Sequence, residues 1–144
     1  MIVYQLSVFL ENKVGTLAEI TKILSENNIN LKAINIAETA DYGIVRILAD
    51  DTRLAAKILS EKDFVVSASK VCVAKVPDRP GGLYEVLSMF SENNVSLEYM
   101  YSVFGLSNNM VLMCFRVDDP DAANVLINEN GYELTEPSEM GLKN

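Results

Sequence analysis

Histidine is absent from this sequence, and its absence removes several kinds of chemistry. Histidine is the commonest general base in enzymes, the base of Ser-His and Cys-His nucleophile pairs, and the commonest transition-metal ligand. The motifs GxGxxG, GxxxxGK[ST] and HExxH are missing as well. We therefore expect no catalytic residues, no metal site and no cofactor, although carboxylate-based chemistry stays open at this point.

Cysteine and basic residues are scarce. The two cysteines, Cys72 and Cys114, lie in the apolar runs VCVAKV and VLMCFRV and form no CxxC pair, so each is predicted to be a small buried thiol. Twelve Lys and Arg against twenty Asp and Glu give a formal charge of −8, which repels a phosphate backbone. Nucleic acid is therefore not an expected partner.

Long apolar runs are also missing. No run approaches the roughly 20 residues that span a bilayer, and the opening MIVYQLSVFLENK has neither a basic leader nor a small-residue cleavage site. We therefore expect a soluble cytoplasmic protein that does not bind a membrane. Its 49% apolar content over 144 residues predicts a packed core, in one ordinary domain or two small ones.

A repeated sequence motif indicates two domains and not one. LSENNINL at residues 24–31 returns as FSENNVSL at residues 90–97, an offset of 66 that becomes 68 after a hairpin longer in the second copy. A period of this length is too long for a solenoid repeat, so each copy should have its own core. We predict two domains, residues 1–69 and 70–144, and expect about the last eight residues to be a disordered tail.

Within each copy the hydrophobic periodicity changes in a fixed order. YQLSVFL alternates as a strand does, and Thr16 with Glu19 has the spacing of a capping box at a helix start. Two strands around a polar turn follow, and then Asp51 or Asp119 is predicted to cap a second helix. Short closing strands are predicted at residues 64–66 and 132–134. The order βαββαβ is typical of an α+β, ferredoxin-like fold with an antiparallel sheet and both helices on one face.

Two features outside this pattern need an explanation. The repeated Asn27-Asn28 and Asn93-Asn94 fall where a helix must end and a strand begin, and Asn tolerates the left-handed backbone of such an end, so we interpret them as structural. MVLMCFRV is apolar at nearly every position, as a strand buried on both faces usually is. The sister domain or a second chain must cover the outer sheet face, so a homodimer is expected.

The turn after the first strand carries the most specific motif. It is VPDRPGGLYEVL in the second copy and ENKVGTLAEITK in the first, where Val14 replaces the proline. In its strand-turn-helix context this motif resembles the Asp-Arg-Pro-Gly-x-Leu signature of the ACT domain family, small ferredoxin-like regulatory modules that bind amino acids. The resemblance spans essentially the whole chain as two tandem copies.

The same turn has the chemistry of a site for an amino acid. Gly15 or Gly81 can take a positive φ there. The first amides of the following helix lack intrahelical partners and favour a carboxylate. The ligand's ammonium would find acceptors in Glu11 or Asn12 of the first copy and in Asp78 of the second.

The resemblance implies that such a ligand lies between this loop and the start of the second strand of a neighbouring domain. That strand position is occupied by Asn30 in the first copy and by Ser96 in the second. With Glu11 from the chemistry of the turn, the candidate ligand-binding residues are Glu11, Asn12, Gly15, Asn30, Asp78, Gly81 and Ser96. The first copy keeps Asn at both polar positions and is the better amide-type site.

Three functions are compatible with these features. The leading hypothesis is a stand-alone regulatory sensor that binds a small amino acid and signals through an interface to a partner such as a metabolic enzyme. The second is a dimerisation or docking module without a ligand, which ligand-dependent stabilisation would distinguish. A small carboxylate-based enzyme is disfavoured, because helix caps explain the paired acids Asp50-Asp51 and Asp118-Asp119.

Overall fold

The computed structural model describes residues 2–11, 13–38, 41–104 and 108–143. The elements are β1 (Val3–Glu11), α1 (Thr16–Glu26), β2 (Leu31–Glu38), β3 (Tyr42–Ala49), α2 (Thr52–Glu61), β4 (Val66–Pro77), α3 (Gly82–Glu92), β5 (Leu97–Ser102), β6 (Met110–Val117), α4 (Pro120–Glu129) and a 3-10 helix (Pro137–Met140). The predicted α+β class with two ferredoxin-like repeats is confirmed. No helix among the described residues combines the length and the apolar character needed to cross a bilayer.

Two compact units make up the chain. The N-terminal unit contains Tyr4–Ser69 together with Met140–Asn144, and the C-terminal unit contains Lys70–Glu139 together with Met1–Val3. The end of the chain was expected to be disordered, but Pro137–Met140 forms a 3-10 helix and Met140 is only 4% exposed. Burial of this methionine is the physical reason for the difference.

In the N-terminal unit the strand order is β2-β3-β1, with antiparallel pairing throughout. Leu6 lies opposite Ile47, and Ile34 lies on the other side of Ile47. Helices α1 and α2 contribute to one core on a single face of these strands, as predicted. That core contains Leu6, Val8, Leu10, Ile20, Ile23, Leu24, Ile29, Val45, Ile47, Ala49, Ala55 and Leu59.

In the C-terminal unit the corresponding order is β4-β6-β5, again antiparallel. The rings of Phe90 in α3 and Phe115 in β6 meet edge to face at 5.2 Å, a favourable aromatic arrangement. The core contains Cys72, Ala74, Val76, Val86, Met89, Phe90, Phe115, Val117, Ala123 and Ile127.

The closing strands differ from the prediction. Strand β4 is one strand of 12 residues where two separate strands were predicted, because VSASKVCVAKV offers no glycine, proline or asparagine to interrupt it. Phe64 and Val65 precede β4, although the Phe9 N–H still donates to Val65 O at 3.0 Å. The closing strand of the second copy is reduced to an isolated bridge between Ala74 and Leu134.

The predicted caps of the second helix in each unit are confirmed. The Asp51 carboxylate accepts a hydrogen bond from Leu54 N at 2.9 Å, and the Asp119 carboxylate accepts one from Ala122 N at 3.1 Å. A proline follows Asp119 in the first helical turn, where its missing N–H costs nothing.

The capping box predicted at the start of α1 is wrong. The cap residue is Gly15, with φ of 85°, and Thr16 is already the first helical residue. The Thr16 hydroxyl instead donates to Lys13 O at 3.1 Å. The turn requires a left-handed residue at the position that a capping side chain would need, so glycine takes it and no side chain caps this helix.

The repeated asparagines end their helices as predicted. Asn28 and Asn94 have φ of 57° and 56°, in the left-handed region. The side-chain amide of Asn27, and likewise that of Asn93, donates to the carbonyl of the residue four positions earlier at 2.8 Å. The SENN motif is therefore repeated because the first helix of each unit ends with the same hydrogen bonds.

The outer face of β4 and β6 is already buried in the single chain. Val71, Val73, Leu112 and Cys114 are each at most 6% exposed, and Cys114 lies opposite Val73. The apolar sequence of β6 therefore does not by itself require a second chain, and the homodimer stays a prediction.

Both thiols are buried, as predicted, and burial raises the pKa of Cys72 and of Cys114 to about 12. At pH 8 only roughly one thiol in ten thousand is then ionised, and the thiolate is the reactive form. We expect Ellman's reagent to leave the native protein unlabelled over minutes and to label both cysteines promptly in denaturant. Rapid labelling of the native protein at pH 8 would contradict this burial.

Candidate functional site

The turn between β1 and α1 forms one side of the candidate site. The backbone is tightly bonded, with Lys13 N donating to Glu11 O at 2.8 Å and Glu19 N donating to Gly15 O at 2.9 Å. Gly15 is left-handed, and Thr16 N, the first amide of α1, donates to Lys13 O at 3.4 Å. The next amides, of Leu17 and Ala18, have no carbonyl partner within the helix. Asn12, predicted to contribute here, lies outside the described residues.

A cleft of about 390 Å3 opens beside this turn. Its lining residues are Phe9, Leu10, Glu11, Lys13, Thr16, Glu19, Tyr42, Asp63, Phe64 and Val65. Pairing of the strands assembles them, since Glu11 lies opposite Tyr42 and Phe9 bonds to Val65. A volume of this size, with apolar walls and a few charged groups, is typical of small-molecule sites.

The charges of the cleft come in opposite signs. Lys13 Nζ lies 2.6 Å from Glu11 Oε2, and both side chains are largely exposed. The hydrogen bond from Lys13, and then its charge, lowers the pKa of Glu11, so that carboxylate stays ionised at neutral pH. The cleft therefore offers the Glu11 carboxylate to an ammonium, and the Lys13 ammonium with the amides of α1 to a carboxylate.

The equivalent turn of the C-terminal unit has different ion pairing. Gly81 has φ of 86°, matching Gly15, but the Arg79 guanidinium lies 2.8 Å from Glu85 in the first turn of α3. In the N-terminal unit the equivalent Lys13 is paired with Glu11 instead. The side chain of Asp78 is exposed, and the backbone N–H of Asp78 donates to Asn109 O at 2.9 Å.

Sequence reasoning found Gly81 but missed its neighbour. A Cβ added at Gly82 would clash with the carbonyl oxygen of Pro77 and lie 3.0 Å from the carbonyl carbon, so the start of α3 lies against the end of β4. The Gly81-Gly82 doublet is the sequence feature that could have revealed this steric requirement. The equivalent residue of the first copy is Thr16, so comparison of the two copies does not indicate that glycine is required at position 82.

Replacement of Gly81 tests the turn itself. A Cβ built on Gly81 meets no atom within 4 Å, so Gly81→Ala carries only the cost of a left-handed alanine. We expect the free energy of unfolding to fall by about 1–2 kcal/mol, measured by chemical denaturation. A change within about 0.5 kcal/mol, the range of ordinary surface substitutions, would contradict the turn as described.

Asn30 lies beyond the other end of α1. It lines a second groove of about 450 Å3 with Thr21, Leu24, Ser25, Asn28, Ile29 and Leu31. The 11 residues of α1 span about 16 Å between this groove and the cleft. One unit by itself therefore does not bring Asn30 together with Glu11 and Gly15.

The backbone at Asn30 is held by Asp50. Asn30 N donates to Asp50 Oδ1 at 3.0 Å, and Asp50 N donates to Asn30 O at 2.9 Å. Ser96 and Asp118 make the same reciprocal pair in the C-terminal unit, at 3.1 Å each. These hydrogen bonds use only backbone atoms of Asn30 and Ser96. The exposed side chains of the two residues take no part in them.

Sequence reasoning did not place Phe9, Tyr42, Asp63 or Val65 in the site. The alternation of β1 marked Phe9 as pointing away from the core, but only the strand register puts Tyr42 and Val65 beside it. Asp63 has φ of 68° in the turn after α2, a conformation that its sequence neighbours did not reveal. Within the described part of the chain, no group of three or more His, Cys, Asp or Glu is placed to hold a metal ion.

Comparison with known proteins identifies the relatives of this chain. A family model described as "ACT domain pair" matches residues 1–141. A crystal structure of protein BT0572 from Bacteroides thetaiotaomicron is 38% identical with a TM-score of 0.90, covering 98% of this chain and 96% of that one. A search of the curated proteins finds no match.

More distant structures share the fold alone. The ligand-free regulatory subunit of aspartate kinase from Thermus thermophilus is 11% identical with a TM-score of 0.63, covering 90% of this chain and 93% of that one. A structure of aspartokinase alpha and beta subunits is 14% identical with a TM-score of 0.58, covering 89% and 95%.

Proposed function

The chain belongs to the ACT domain pair family, and on that premise we propose that it is a regulatory protein that binds a small amino acid. The binding site is the cleft beside the β1–α1 turn of the N-terminal unit. No step of this function requires catalysis, which agrees with the sequence: it offers no histidine and no nucleophile motif.

The observation that carries the proposal is the charge arrangement of the cleft. An amino acid has an ammonium and a carboxylate on one carbon, and the cleft places Glu11 beside Lys13 and the start of α1. Phe9, Phe64 and Val65 add apolar wall for a ligand side chain. The ion pair between Glu11 and Lys13 is exposed and therefore weak, so a zwitterion can replace it with two new pairs at little cost.

Asn30 enters the site from a neighbouring domain. Because the cleft and Asn30 lie at opposite ends of α1, a ligand that touches both must bridge two domains. We propose that a homodimer provides this arrangement and that ligand binding at the interface changes how the pair engages a partner enzyme. A related fold in the regulatory subunit of aspartate kinase from Thermus thermophilus supports an enzyme as the partner class.

A docking module without a ligand is the second candidate. Phe9, Tyr42 and Val65 at the cleft are 44%, 48% and 64% exposed. Exposed apolar side chains that lie together are also typical of protein contact surfaces. In that case the same cleft would be filled by a protein side chain.

A thermal-shift screen against the twenty standard amino acids tests the proposal. A ligand at 100 times its dissociation constant adds about 2.7 kcal/mol to the stability, which raises the melting temperature by several degrees. The amide and the N-acetyl forms of an active amino acid lack one charge each and should lose the shift. If none of the twenty moves the melting temperature, the docking module is the better account.

A further inference from the structure

The segment Met140–Lys143 is part of the N-terminal unit although it follows the C-terminal unit in the chain. Lys143 N donates to Asp50 O at 2.6 Å, and the Met140 side chain is buried. Gly141 has φ of 71° and packs so closely on the Lys32 side chain that an added Cβ would lie 3.3 Å from Lys32 Nζ. The segment is thus held at several points.

The anchor of this segment is the residue that holds Asn30. Asp50 accepts the Lys143 N–H on its backbone oxygen, while its own N–H and its carboxylate bond to the backbone of Asn30. In the C-terminal unit Asp118 bonds to Ser96 in the same way. Among the described residues no later segment donates to the backbone oxygen of Asp118, so the third bond distinguishes the two copies.

We propose that Met140–Lys143 is a strap that positions Asn30 for ligand binding. The inference rests on the proposed function, because it assigns the strap a role through Asn30. None of the strap residues lines the groove beside Asn30, so the strap leaves the Asn30 side chain accessible. Asp50 and Lys143 are positioning residues that do not touch the ligand.

The benefit of the strap is pre-organisation. A polar group that is already fixed loses less conformational freedom when a ligand binds it. A hydrogen bond of ordinary net strength corresponds to roughly a fivefold change in an equilibrium constant. The strap should therefore make the start of β2 more rigid in the N-terminal unit than the start of β5 is in the C-terminal unit.

The test uses Lys143→Pro in the full chain, because proline has no N–H to donate to Asp50 O, although it also fixes φ and removes the lysine side chain. Lys143→Ala is the matched control, since it keeps the N–H and removes the exposed side chain. Amide hydrogen exchange by NMR should become about fivefold faster at Asn30 and Asp50 in the proline variant, and stay unchanged in the alanine variant. Ser96 and Asp118 should not change in either variant. Unchanged exchange at Asn30 and Asp50 in Lys143→Pro overturns the strap.

A second measurement separates the strap from the proposed function. The twenty standard amino acids are titrated on both variants and on wild type, and Lys143→Pro should bind the active one about fivefold more weakly than Lys143→Ala does. Equal affinities with faster exchange at Asn30 would overturn the positioning role and leave amino-acid binding intact. If wild type binds none of the twenty, the proposed function fails, and with it the role of the strap in binding.

Discussion

Gly82→Ala is expected to lower the free energy of unfolding by about 3 kcal/mol, the upper part of the range for overpacking. The new Cβ would clash with the backbone carbonyl of Pro77. That carbonyl cannot turn aside as a side chain does, because Pro77 ends β4 and lies opposite Met110 in the sheet. Helix propensity acts in the opposite direction, favouring alanine by roughly 1 kcal/mol, so a loss of stability isolates the clash.

The matched control for this prediction is Thr16→Ala at the equivalent position of the N-terminal unit. Thr16 already has a Cβ, and the change removes only an exposed hydrogen bond to Lys13 O. Its effect should stay within about 0.5 kcal/mol. The free energy of unfolding of both variants is measured by urea denaturation. A Gly82→Ala protein as stable as wild type would mean that α3 does not start against β4.

Asn30→Ala and Asn12→Ala are each expected to abolish the thermal shift produced by the active amino acid, a loss of about 2.7 kcal/mol at saturating ligand. Each change removes a side-chain amide that would bond a charged group of the ligand. The Asn30 side chain is exposed and its backbone bonds to Asp50 are untouched, so the melting temperature without ligand should hardly change in Asn30→Ala. The measurement is the melting temperature of each variant with and without the amino acid.

Ser96→Ala and Asp78→Ala are the controls, since they occupy the equivalent positions of the second copy. Both should keep most of the shift, because we propose that the ligand binds the first copy. If the Asp78 and Ser96 variants lose the shift and the Asn variants keep it, the site belongs to the second copy. An unchanged shift in all four variants would place the ligand elsewhere.

The features that the sequence predicted correctly are set by neighbours in the chain. Asp51 and Asp119 cap helices whose amides lie three residues further on, and Asn28 and Asn94 take a backbone conformation that few other residues tolerate. The order of helices and strands up to the closing strand of each copy follows from periodicity, caps and turns. Local chemistry therefore predicted the elements and most of their ends.

The features that the sequence did not predict depend on residues far apart in the chain. Gly82 is required because Pro77 lies beside it in space, and the cleft exists because the turn after α2 is brought next to Glu11. The sequence located the loop of the candidate site, and strand pairing supplied its walls.

An NMR titration shows whether an amino acid binds at the cleft of the N-terminal unit, as we propose. Amide signals are followed while the amino acid with the largest thermal shift is added to the full chain. We expect saturable changes at Gly15, Thr16 and Glu19, at the cleft end of α1, and at Asn30 from the neighbouring domain. Changes confined to Gly81 and Ser96, or no saturable change at any amide, would contradict it.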